Sequence, residues 1–184
     1  MDLTGQLLIA MPGMGDPRFE HSVVFLCSHG DDGAMGLIIN KPARDVRLKD
    51  LFSQLDIAPA SDEVDAPVFY GGPVESARGF VLHTPDYTSR LHTMDVVGGF
   101  AMTATLDVLE DIARGAGPGR SLMMLGYAGW GPGQLEGEIA MNGWLTTEAL
   151  PGLVFDLPEG EKWAASLKQL GVDPLSLSAS AGRA

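Results

Sequence analysis

The sequence predicts a single mixed α+β domain, and three observations carry the prediction. The chain has 184 residues, 45% hydrophobic and 20% charged, which suits one domain with a sizeable core. Short apolar runs rich in Val, Ile, Leu and Phe alternate with glycine-bearing turns. No regular alternation of strand and helix follows, so a doubly wound parallel sheet is not expected.

Taken in order, the apolar runs place strands at residues 6–11, 22–28, 35–40, 68–70, 79–83, 99–102 and 121–127. Their apolar character on both faces suggests a sheet covered on each side. Leu48, Leu51, Phe52 and Leu55 recur at helical spacing, as do Leu106, Leu109, Ile112 and Ala113. Trp163, Leu167 and Leu170 define a C-terminal helix that Gly171 is placed to end. Pro132 can open a further short helix over residues 134–141. The polar, proline-bounded stretch 58–67 (APASDEVDAP) reads as a mobile loop, and residues 175–184 as a loosely held tail.

Charge narrows the function classes. The formal net charge is −12 and the pI about 4.5. The twelve Lys and Arg residues are scattered, with only Lys41, Arg44, Arg47 and Lys49 loosely grouped. A nucleic-acid binder needs a basic face, because phosphate contacts supply most of its non-specific affinity. The helix around Leu106–Arg114 instead carries Asp107, Glu110 and Asp111, so direct DNA recognition is not expected. One cysteine excludes an internal disulfide and a Cys-based zinc cluster, and fits a reducing compartment. The N-terminal stretch lacks a basic segment, and Leu7–Met11 is too short for a signal peptide. No apolar run approaches the ~20 residues that span a bilayer, so a soluble, cytoplasmic protein without membrane contact is expected.

The segment VVFLCSHGDDGAMGLIINKP places Cys27 two residues before His29. On an unbroken strand Val23, Phe25, Cys27 and His29 share one face, which makes Cys27 a small buried hydrophobe rather than a nucleophile. His29 is expected to bond to the acidic turn that follows or to meet solvent. The four histidines are separated singletons, so neither a metal nor a cofactor is expected. The glycine-rich segments lack the Gly-Lys-Ser/Thr of a phosphate-binding loop and the G-x-G-x-x-G of a dinucleotide-binding turn. Gly-x-Ser-x-Gly is absent too, and no catalytic residue is assigned.

Three blocks together carry a resemblance: LLIAMPGMGDPRFEHSVVFLCSHGDDGAMGLIINKP, FYGGPVESARGFVLHTPDY and LMMLGYAGWGPGQLEGEIAMNGWL. With the closing FDLPEGEKWAASLKQLGVDPLSLSASAGRA, they resemble the YqgE/AlgH family of bacterial proteins, as one domain spanning residues 1–184. The resemblance implies a mixed, branched β-sheet curled into a pseudo-barrel with flanking helices. It also implies the label of transcriptional regulator that the family often carries, without established catalytic residues. Many relatives have a Ser–Arg pair where this chain has Thr105–Leu106, so any ligand role of that arginine is unfilled at Leu106.

Loops that a sheet holds rigidly are where binding usually resides. Asp16 and Arg18 follow the first strand, and Asn40 and Lys41 end the third. Arg78 follows the Gly71-Gly72-Pro73 turn, while Trp130 and Gln134 frame the last glycine-rich turn. These seven are the ligand- or partner-binding candidates. They suit a non-enzymatic binding or regulatory protein that recognises a protein partner or a small anionic ligand, with a monomer favoured over an oligomer. The competing readings are a hydrolase acting on a small or nucleotide-like substrate and a transcriptional regulator that binds DNA directly. The turns after the first, third and last of these strands are expected to converge on one concave surface.

Overall fold

Ten strands and five helices organise the chain in a computed structural model, which describes residues 1–13 and 15–181. The strands are β1 (Gln6–Ala10), β2 (Val23–Gly30), β3 (Gly33–Ile38), β4 (Pro42–Arg47) and β5 (Pro67–Tyr70), then β6 (Val74–His83), β7 (Met94–Val96), β8 (Phe100–Thr103), β9 (Ser121–Trp130) and β10 (Trp144–Glu148). The helices are α1 (Leu48–Gln54), α2 (Asp107–Arg114), α3 (Gln134–Ala140), α4 (Glu159–Gln169) and α5 (Pro174–Ala181). A 3₁₀ turn at Pro17–Phe19 and a single π-helical turn at Gly152–Asp156 complete them.

The main path of the sheet runs β10-β1-β2-β3-β9-β6-β8-β7, antiparallel throughout, and curls into a half-barrel. β9 is its hub. Along one edge of β9, β3 pairs with Ala128–Trp130, while β5 pairs in parallel with Met123–Leu125 and carries β4 outside it. The sheet therefore branches at Gly126. Two backbones meet there: a Cβ on Gly72 would overlap the main chain of Tyr127, and one on Gly126 would strike the carbonyl of Gly72. Gly126 also has φ +78°, a conformation that L side chains rarely adopt.

Apolar packing fills both faces. Inside the curl lie Leu7, Phe25, Phe80, Phe100 and Met124, closed on one side by Val154 of the π-turn. Outside it, Leu8, Leu26 and Trp144 pack with Leu135 of α3. A third cluster sits under α1 and α2, around Phe52, Val81 and Val108. α4 docks through Trp163, whose Nε1–H donates to the carbonyl of Ala10 at 2.9 Å.

The strands that the sequence reading missed have physical reasons. β4 reads PARDVR, a polar edge strand opened by proline, β7 is three residues long, and β10 (WLTTE) has no apolar run. β9 runs on past Tyr127 to Trp130 through Gly129, which a propensity reading takes as turn. The loop over residues 58–67 is present, held where Ala60 N–H donates to Ala113 and where Asp65 pairs with Arg47. The expected tail forms α5 as far as Ala181, and residues 182–184 lie outside the described part.

The acids of α2 do not share a solvent face, because Asp107 and Asp111 are buried and only Glu110 is exposed. The Ser89 hydroxyl donates to Asp107 at 2.6 Å and the Tyr87 hydroxyl to Asp111 at 2.5 Å. The two aspartates thus pin the irregular segment between β6 and β7.

Candidate functional site

Cys27 lies on the inner face beside Val23 and Phe25, 1% exposed, and burial pushes its thiol up to about 12. His29 does not share that face. A bulge between Leu26 and Ser28 inserts Cys27 as an extra residue, so Ser28 opposes Met35 and His29 opposes Ala34 on the outer face. There His29 Nδ1 accepts the Leu3 N–H at 2.9 Å, and its Nε2 meets Glu136 of α3. With Nδ1 accepting, the ring is the neutral tautomer that donates from Nε2. This replaces the expected bond to the acidic turn.

An open cavity of about 720 Å³ lies on the outer face, between the Pro12–Phe19 segment and α3. Asp16, Arg18, Trp130 and Gln134, from two distant loops, all line it. Asp16 caps the 3₁₀ turn through Arg18 N–H at 3.0 Å and takes the Arg18 side chain as a fork, Nε at 3.1 Å and Nη2 at 2.8 Å. Those bonds hold the Asp16 carboxyl below its ordinary range. Trp130 is 7% exposed and packs against Phe19 and Trp144, with ring centroids 6.4 and 6.0 Å away. Glu138 anchors this wall. Its Oε1 accepts from Trp130 Nε1 at 3.2 Å and Trp144 Nε1 at 3.0 Å, and its Oε2 accepts from Gln134 Nε2 at 3.1 Å. Gln134 Oε1 in turn accepts the Gly131 N–H at 3.0 Å, closing the glycine-rich turn.

Asn40, Lys41 and Arg78 stand elsewhere. Asn40 is a strand clamp, accepting from Val23 N–H and donating to the His21 carbonyl, each at 2.8 Å. Lys41 is not among the residues lining the outer cavity, and its Nζ donates to the Arg18 carbonyl at 2.9 Å. Partial burial lowers its ammonium. Arg78 lines a second cavity of about 770 Å³, at the mouth of the half-barrel on the inner face. Met35, Phe80, Met94, Met102 and Tyr127 make its floor, and Asp32, Glu75 and His92 share the rim with Arg78. The Arg78 guanidinium lies 5.1 Å from the Phe80 ring centre and 3.5 Å from Glu75. The two cavities meet at Val74, Gly129 and Trp130.

His83 Nε2 and Thr103 Oγ1 are 2.8 Å apart, the spacing of a catalytic hydroxyl–imidazole pair, but both residues are buried and Thr103 Oγ1 also bonds to Thr93 at 2.8 Å. Burial lowers the His83 imidazole below its ordinary value. Among the described residues no three His, Cys, Asp or Glu side chains are grouped to hold a metal ion. No helix among them is long and apolar enough to cross a membrane.

Sequence reasoning missed Glu138, Phe19 and the barrel mouth. Glu138 was within reach, since it stands one helical turn beyond Gln134 at i+4. Phe19 gave no periodic signal, because it closes a 3₁₀ turn.

The AlgH-like family model matches residues 7–175. A UPF0301 protein of Ruegeria pomeroyi is 65% identical over 185 residues, covering all of both chains. One from Cereibacter sphaeroides is 56% identical, again over all of both chains. Among solved structures, the solution structure of the AlgH protein from Pseudomonas aeruginosa superposes with a TM-score of 0.80 at 44% identity, covering 98% of this chain and 95% of that one. A crystal structure of a Corynebacterium diphtheriae protein gives 0.71 at 19% identity, covering 96% and 90%, and shares the fold.

Proposed function

The chain belongs to the AlgH-like family, an uncharacterised group, and from that premise we propose that it is a non-enzymatic binding protein acting through the outer cavity and the barrel mouth. The observation that carries this reading is the outer cavity. Its walls come from distant loops and hold fixed polar groups, yet no serine, threonine, cysteine, lysine or histidine is among its described lining residues. Its two carboxylates are engaged, Asp16 by Arg18 and Glu138 by two indoles and an amide. The one cysteine and the His83–Thr103 pair are buried away from it.

Charge favours a partner segment over a small anion. Arg18 and Arg78 each already hold a carboxylate, and the two cavities are lined by Asp16, Asp32, Glu75 and Glu138 against those two arginines, a net −2. A free phosphate or carboxylate would have to displace a local partner and then meet the remaining acids.

Protein-observed NMR with a library of short peptides and small amides, carboxylates and amines tests the reading. Hits are expected to shift the Trp130 Nε1–H and the Gln134 side-chain amide, and to be recovered chemically unchanged after prolonged incubation. Gln134→Ala should weaken them several-fold. Hits that cluster elsewhere, or that are turned over, would overturn it.

A further inference from the structure

The two cavities lie on opposite faces of one sheet, and what separates them is an open strand edge. Trp130 and Ala34 form a pair, and the Trp130 carbonyl points at β3, since a Cβ on Gly33 would collide with it. In an antiparallel ladder neighbouring residues aim their amides at alternate sides. Gly129, one residue earlier, therefore directs its N–H and C=O away from β3, toward the side occupied by β6. But β6 leaves the ladder at the pair Val74–Tyr127, and Pro73 follows no further. Among the described residues Gly129 makes no backbone bond on that side, and it is exposed.

Alternation also fixes what stands beside this edge. Gly129 is opposite Met35, which packs on the inner cluster, whereas Trp130 and Ala34 belong to the outer one. Successive side chains of a strand laid along Gly129 would point in turn to the inner and the outer face. On the inner face they would meet the barrel mouth, with its floor of Met94, Met102 and Phe80. On the outer face they would meet Trp130, Gln134 and Glu138.

We propose that the protein binds an extended peptide segment as an added strand on the open edge of β9, anchored on Gly129 and flanked by both cavities. The segment alternates an apolar side chain, seated in the barrel mouth, with a basic one on the outer face. Methionine lining suits a large flexible or aromatic anchor. The net −2 of the lining and the −12 of the whole chain select a basic partner. Gly129 itself fits this use, because with no side chain it lets another backbone approach closely. The inference rests on the binding reading above and adds to it the mode and the chemistry of the partner.

The test is a linear peptide library displayed on phage and panned against the full chain, followed by synthesis of the enriched sequences. They should show apolar–basic alternation. A scan of single backbone N-methylations should find one position, opposite Gly129, where affinity falls at least tenfold. Gly129→Pro, which removes the outward N–H and leaves the β3 pairing in place, should cost as much. The N-methyl scan on the unaltered protein decides the matter if that variant fails to fold. Failure to enrich any peptide overturns the proposal, as does affinity indifferent to both changes. In that second case, a peptide that still shifts the Trp130 indole leaves the binding reading standing and removes only the strand mode. A peptide that leaves the indole unmoved removes both.

Discussion

Lys162 shows how a single buried charge leaves a measurable mark. It is 1% exposed, its Nζ donates to the Ile39 carbonyl at 3.1 Å, and it lies 5.4 Å from the Phe69 ring centre. Burial lowers its ammonium from 10.5 to about 8, with nearby Glu159 opposing part of the shift. Between these values the unfolded chain holds a proton that the folded protein has released, so this group makes the fold more stable as pH rises. Cys27 acts in the opposite direction, since its folded thiol stays protonated to about 12 while the unfolded one ionises near its ordinary 9.0. The difference between the wild type and Lys162→Met therefore isolates the lysine. Urea unfolding at pH 7.5 and 9.5 should show the wild type gaining on the order of 1–2 kcal/mol relative to the variant. An unchanged difference would mean that the ammonium is hydrated in the folded state. Little of this was legible in the sequence. Lys162 precedes Trp163 in a helical stripe, and only the docking of α4 over the end of β3 puts an amine where a solvated one is expected.

At the scale of elements, the strands that bury both faces were readable, and the irregularities that aim the site were not. Periodicity located β1, β2 and α1 because their side chains answer to one period. It misplaced His29 because the bulge at Cys27 leaves composition unchanged while reversing the face of every later residue. The branch at Gly126 is similar, since glycine in an apolar run signals a turn or a close approach equally well. The structure distinguishes the two. Gly126→Ala would combine a left-handed backbone with a clash against Gly72, and should lose about 2–4 kcal/mol in denaturant unfolding, whereas Gly137→Ala, in the open inside α3, should gain ~0.5–1 kcal/mol. A Gly126→Ala variant no less stable than the wild type would show that the branch tolerates a wider spacing. The same junction sets the open edge of β9, so a tolerant branch would also loosen the candidate site.

Across the whole molecule, the distribution of charge argues against a DNA surface more strongly than its total does. Arg18, Arg47, Arg78, Arg114 and Arg120 each pair with a carboxylate, and Lys162 is buried. The one loose grouping, Lys41 to Lys49, is divided by Asp45 and followed at once by Asp50, and its Arg47 is held by Asp65. Turning Asp107 and Asp111 inward leaves α2 less acidic outside than its sequence suggests, but its one arginine is drawn to Asp111, so no basic helix face results. A phosphate contact to any of these five arginines would have to displace its acid as well as a counterion. Non-specific DNA binders reach dissociation constants of about 10⁻⁴–10⁻⁶ M at physiological salt through several such contacts. Fluorescence anisotropy with a mixed-sequence duplex should accordingly show no saturable binding up to on the order of 100 µM protein. Lowering the salt should not rescue it, because the repulsion of a −12 chain grows as screening falls. Micromolar binding with a steep salt slope would require a basic surface that these ion pairs do not leave free, and would restore direct DNA recognition as the function.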